Sequence, residues 1–241
     1  MQTNKGTSER TLVTFLLDRT GSMEQIKDDT IGAFNAYLDG LQKSGAVIDL
    51  TFVQFDSMSI DKICVATPAA QVPKLTAATY QPRASTPLID AAYKTIAAVD
   101  KSLAGTSAAT KIVICIQTDG LENASTEHTW NELNALIKQK AAAGWQFNFM
   151  GCGIDAYEQG QKMGIAAAST LSYRRGDTQA TQAAFVASAA NAAAFAKSAA
   201  PTTEFSAPQR SAAKDDYAHR ATPAGDKTDK RKPAIVDDIT L

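Results

Sequence analysis

The chain has 241 residues, 44% of them apolar, enough for one substantial domain with a real core. Its 24 Lys and Arg against 25 Asp and Glu leave a net charge of −1, so no global field draws it to nucleic acid or an anionic membrane. Cys64, Cys115 and Cys152 are an odd number, each within or beside a predicted strand, and read as buried thiols rather than a disulfide framework. Residues 1–10 form a polar N-terminal extension without signal-peptide character, and no apolar run approaches the roughly 20 residues of a membrane span. These features predict a cytoplasmic location.

Leu12 to Leu17 is a continuous apolar and β-branched run, the pattern of a strand buried on both faces. Glu24 to Gln42 carries Ile26, Ile31, Phe34, Leu38 and Leu41 at helical spacing, and Ile48 to Phe55 is a second strand. Ile60 to Ala66 follows too closely for a crossover helix, which predicts an antiparallel pairing. Pro87 suits the first turn of a helix running to Leu103. The most apolar strand is expected at Lys111 to Gln117. After it come a helix from Glu127 to Ala143 closed by Gly144, and a strand from Trp145 to Met150. A helix over Ala156 to Met163 and a short strand over Ser169 to Tyr173 complete the alternation.

That alternation predicts an α/β fold: a doubly wound, Rossmann-like, mostly parallel sheet with one antiparallel edge strand and helices on both faces. The domain spans residues 11–200 and ends in an alanine-rich closing helix, with Phe185, Ser188, Ala192 and Phe195 on one face. Residues 201–241 hold four of the eight prolines and seven basic and seven acidic residues, a composition that predicts a disordered tail. Its last residues, Ala234 to Leu241, regain β-branched character and read as an ordinary frayed end or as a peptide that could add to another protein's sheet edge.

Ligands in such sheets gather beyond the carboxyl ends of the strands. Asp18, Asp56, Asp119 and Asp155 stand at or just after four predicted strand exits. After the first, Asp18-Arg19-Thr20-Gly21-Ser22 presents oxygen donors at alternate positions along a tight turn. Such donors, with no nitrogen or sulfur among them, suit a small hard cation. Thr86 and Asp119 could complete a site in which two carboxylates neutralise the ion and hydroxyls fill much of its inner shell. One position would stay open for an outside anion. Asp56 reads as a turn residue or as support behind the ligands. Arg19, Arg83 and Glu122 read as solvated rim charges, and His128 and His219 cannot assemble a zinc-type cluster.

Asp18-x-Thr20-x-Ser22, then Thr86, then Asp119 resembles the metal-ion-dependent adhesion site of von Willebrand factor type A domains. The likeness covers residues 11–173 and extends towards residue 200. Thr20 stands where that family's pattern has serine, keeping the hydroxyl and adding a methyl. The flavour is that of intracellular bacterial or phage versions. The resemblance implies a non-enzymatic interaction module using Mg2+, with Mn2+ or Ca2+ as substitutes, to coordinate an Asp or Glu of a protein partner. It implies neither a nucleic-acid nor a membrane partner.

Two other classes compete. A Mg2+-dependent aspartyl phosphotransferase would use Asp18 as nucleophile. Such phosphatases usually carry a general-acid Asp two residues later, where this chain has Thr20. A scaffold would use the tail to recruit a second protein. Nucleic-acid binding lacks a basic stripe, since the one basic cluster of the tail, Lys230-Arg231-Lys232, lies among acidic residues.

Overall fold

The structure, a computed structural model, describes residues 10–104 and 110–216. The remainder of the N-terminal extension, His219, the Lys230-Arg231-Lys232 cluster and the 234–241 segment lie outside the described residues. The elements are β1 (Arg10–Asp18), α1 (Lys27–Lys43), β2 (Ile48–Phe55), β3 (Ile60–Pro68), α2 (Leu88–Leu103), β4 (Thr110–Thr118), α3 (Trp130–Ala142), β5 (Gln146–Cys152), α4 (Ala156–Met163), β6 (Thr170–Tyr173), α5 (Thr178–Ala196) and α6 (Ala207–Ala212). They build one six-stranded sheet in the order β3-β2-β1-β4-β5-β6. Every pairing is parallel except β2 with β3, so the antiparallel edge strand stands where the short connection predicts it.

Side chains alternate between two cores, as the pleat requires. From β1 and β4, Val13, Phe15, Leu17, Val113 and Cys115 face α1 and α5. Leu12, Leu16, Ile112, Ile114 and Ile116 face α2, α3 and α4. Phe15 centres the first core, with ring centroids 4.7 Å from Tyr37, 5.4 Å from Phe34 and 5.7 Å from Phe185. The small residues of α5 let it approach α1 closely: a Cβ on Gly40 would lie 3.1 Å from that of Ala189. Cys64, Cys115 and Cys152 are free thiols, the last two buried. Among the described residues no helix is long and apolar enough to cross a membrane.

Three boundaries differ from the sequence reading. A 3-10 turn over Gly21–Ile26 precedes α1, burying Met23 and Ile26 while Ser22 stays at the surface. Pro87 stands just before α2, at its N-cap. The third helix starts at Trp130 because Thr129 and Glu132 form a reciprocal capping box.

Residues 201–216 correct the expected disordered tail, because this part is folded. Phe205 is buried and its N–H bonds Ala168 O at 2.9 Å. From α6, the buried Arg210 donates to Thr170 O (2.8 Å), Ala168 O (2.8 Å) and Ala167 O (3.0 Å), and pairs with Asp215 at 2.8 Å. Composition concealed this because one buried arginine satisfies several carbonyls that no apolar pattern announces. Arg210→Ala would strand those carbonyls and Asp215. Urea denaturation is expected to show a loss of about 3 kcal/mol; a loss within about 0.5 kcal/mol, as at ordinary surface sites, would contradict the clamp.

Candidate metal centre

The parallel register of β1 with β2 and β4 brings three strand exits level, at Asp18, Phe55–Asp56 and Thr118–Asp119. Beyond them the backbone is knitted across loops. Arg19 N donates to Phe55 O (2.9 Å), Gly21 N to Ala84 O (3.0 Å), Arg83 N to Arg19 O (2.9 Å) and Asn123 N to Thr86 O (3.0 Å). Thr86 N in turn donates to the Asn123 side chain at 2.8 Å. These bonds carry Thr86, from before α2, to the Asp18 turn.

The structure brings Asp18, Thr20, Ser22, Thr86 and Asp119 to one place. Asp18 is fully buried; its carboxylate accepts from Thr20 N at 2.6 Å and from Thr118 Oγ1. Thr20 Oγ1 lies 3.2 Å from both Ser22 Oγ and Thr86 Oγ1, and Ser22 Oγ donates to Asp119 Oδ1 at 2.5 Å. Asp18, Thr20, Thr86 and Asp119 are buried, whereas Ser22 is exposed, so the cluster opens outward on the Ser22 side.

Asp155 caps α4, accepting from Glu158 N at 2.9 Å. Asp56 stands behind the cluster. Its carboxylate accepts from Met58 N (2.7 Å), Ser59 N (3.0 Å), Arg19 Nε (2.9 Å) and Arg83 Nε (3.0 Å). Arg19 is therefore no solvated rim charge. It is buried, also donates to Asp61 at 2.8 Å, and ties the Asp18 turn to the β2–β3 hairpin. Arg83 remains half exposed but is paired with Asp56. Glu122 is likewise engaged, accepting from Ile89 N (2.9 Å), Ala124 N (2.9 Å) and Ser125 N (2.7 Å). It supplies the α2 N-terminus with the acceptor that Pro87 lacks. The partners of all three are distant in sequence or set by loop shape, so isolated charges looked free.

Three participants carry no local signal of their role. Tyr80 OH donates to Asp18 O at 2.6 Å. Thr118 bonds the Asp18 carboxylate from the neighbouring strand. Arg175, after β6, places Nη2 at 2.6 Å from Asp119 Oδ2 and donates to Asp119 O at 3.0 Å.

The donor set suits a hard cation. Ligand oxygens about 2.1 Å from an octahedral ion lie about 3.0 Å from their neighbours, close to the two 3.2 Å hydroxyl separations. Asp119 Oδ2 is buried with no aligned hydrogen-bond donor, Arg175 being its ionic neighbour. Gly120 preserves the space, since a Cβ there would lie 2.9 Å from Thr86 Oγ1 and 3.5 Å from Ser22 Oγ. No cluster of three His, Cys, Asp or Glu suited to a metal occurs among the described residues. Any ion here would rest on hydroxyls with two carboxylates.

No protein-family model and no curated protein matches the sequence. Solved structures do share its fold. A von Willebrand factor type A protein from Catenulispora acidiphila is 16% identical with a TM-score of 0.57, over 77% of this chain and 43% of that one. The chain has the von Willebrand factor type A fold. Proximal thread matrix protein 1 of the mussel byssus matches at 11% identity and TM-score 0.59, over 77% of this chain and 48% of its own. The manganese-loaded TRAP protein of Plasmodium vivax matches at 16% and 0.52, over 74% of each chain. The chain thus spans less than half the length of the first two.

Burial pushes the Asp18 carboxyl from 3.8 up to about 6, and the charge of Asp119 adds to the rise against hydrogen bonds from Thr118 and Thr20. Burial raises Asp119 as well. A raised carboxyl pKa means the folded state holds its proton more tightly than the unfolded chain. The resulting stabilisation is complete below about 3.8 and is lost as pH climbs through about 6. In EDTA, the stability of wild type relative to Asp18→Asn is expected to fall by on the order of 3 kcal/mol between pH 3.5 and 7, read by urea denaturation. A pH-independent difference would contradict this.

Proposed function

We propose that the chain is a non-enzymatic, Mg2+-dependent protein-interaction module whose ion, replaceable by Mn2+ or Ca2+, coordinates an Asp or Glu carboxylate of a partner. The carrying observation is the convergence of three hydroxyls and two carboxylates, from loops far apart in sequence, around Gly120. Thr20, Ser22 and Thr86 would supply neutral oxygens, with Asp18 and Asp119 beside them directly or through water. Bound there, the ion would act as a Lewis acid towards an outside oxygen. The exposed Ser22 side is where such an oxygen can enter.

The geometry disfavours the phosphotransferase reading. Asp18, the nucleophile that reading requires, is fully buried, with both carboxylate oxygens engaged by Thr20 N and Thr118 Oγ1. Thr20, at the general-acid position, has no proton of useful acidity. The scaffold reading would need residues 217–241 to act alone, and a pull-down with that segment tests it.

The metal reading is tested by thermal unfolding in EDTA and in Mg2+ or Mn2+. An ion at about 100 times its dissociation constant is expected to add roughly 2.7 kcal/mol to wild type. Asp119→Ala and Gly120→Ala are expected to lose that gain while still folding, and Thr20→Ser to keep it. No ion-dependent rise in wild type, or a full rise in Asp119→Ala, would contradict the proposal.

A further inference from the structure

Arg175 stands apart from the sequence motif, yet its guanidinium converges on it. Nη2 lies 2.6 Å from Asp119 Oδ2 and donates to Asp119 O at 3.0 Å, while Nη1 reaches Ser22 O at 3.4 Å. All three oxygens belong to residues of the hydroxyl–carboxylate cluster. Room for the stem is built into the end of β5. Gly153 has φ +64°, and a Cβ there would come within 3.1 Å of both Cβ and Nε of Arg175. The side chain is 32% exposed against 0% for that of Asp119, so it can withdraw towards solvent while its carboxylate partner cannot. A guanidinium does not release its proton, so this positive charge persists at every physiological pH.

The charges then decide the consequence. Asp18 and Asp119, ionised, balance a divalent ion. Arg175 adds one positive charge beside them, which leaves the loaded site in excess by the charge of a single carboxylate. We propose that Arg175 is a tethered cation that shares Asp119 with the divalent ion, weakening the ion's hold in the free protein and reserving one charge for a partner's carboxylate. The inference rests on the proposed metal-dependent function and names the residue that couples ion retention to partner binding. Its physical basis is repulsion between like charges that contact the same carboxylate, an effect that salt screens at a partly exposed site.

The test is Mn2+ titration of the full chain, followed by electron paramagnetic resonance of the free ion, for wild type, Arg175→Gln and Arg175→Lys. Arg175→Gln is expected to bind Mn2+ on the order of tenfold more tightly. Arg175→Lys, which keeps the charge, should stay close to wild type, and the gap should narrow at high salt. A merely structural arginine would lower the melting temperature of both variants without raising Mn2+ affinity. Equal or weaker Mn2+ binding by Arg175→Gln, with wild type binding normally, would overturn this inference alone. No Mn2+ binding by wild type or either variant would overturn the proposed function and this inference together.

Discussion

The Asp18 carboxylate is the interaction on which the rest of the structure's upper edge depends. It is fully buried at the end of β1, where an unpaired charge would be costly, and it is satisfied from two directions. Thr20 N closes the turn onto one oxygen, which fixes the Thr20 and Ser22 hydroxyls on a common side. Thr118 Oγ1 binds the other oxygen, which locks the exit of β4 beside that of β1 and sets Asp119 against Ser22. Tyr80 holds the Asp18 carbonyl, and the Arg19–Asp56–Arg83 cluster braces the turn from behind.

The sheet order gives this edge its place. β1 lies at the centre with β2 on one side and β4 on the other, so successive connections leave the β1–β4 boundary in opposite directions. Loops that part in this way mark the usual ligand position in doubly wound sheets. Two apolar cores, one on each face, hold the strands in register. The position of the hydroxyls is thus fixed by packing well below them. The site itself is polar and is held by hydrogen-bonding neighbours rather than by apolar contact.

The fold was legible because its signals are periodic and local. Ile112 to Ile116 could only be a strand buried on both faces, and the short link between Phe55 and Ile60 forced the antiparallel pair. The convergence of Asp18, Thr20, Ser22, Thr86 and Asp119 has a sequence signal because each lies beside a predictable element boundary. The start of α3 is also written in the sequence, as Thr129 and Glu132, whose capping box sets it three residues after Glu127. The roles of Arg19, Glu122 and Arg175 were not legible. Each depends on a partner brought near only by tertiary folding: Asp56 and Asp61 for Arg19, the α2 N-terminus for Glu122, Asp119 for Arg175. The folded stretch 201–216 was hidden for the same reason, its anchor being the polar Arg210.

The most direct test of the account is anomalous diffraction from a crystal of the full chain grown with Mn2+. The account predicts one strong peak between Thr20 Oγ1, Ser22 Oγ and Thr86 Oγ1, with Asp18 and Asp119 beside it and an open coordination position towards solvent. A Mn2+ peak elsewhere, or no peak with these hydroxyls still bonded to one another and Arg175 still on Asp119, would contradict it.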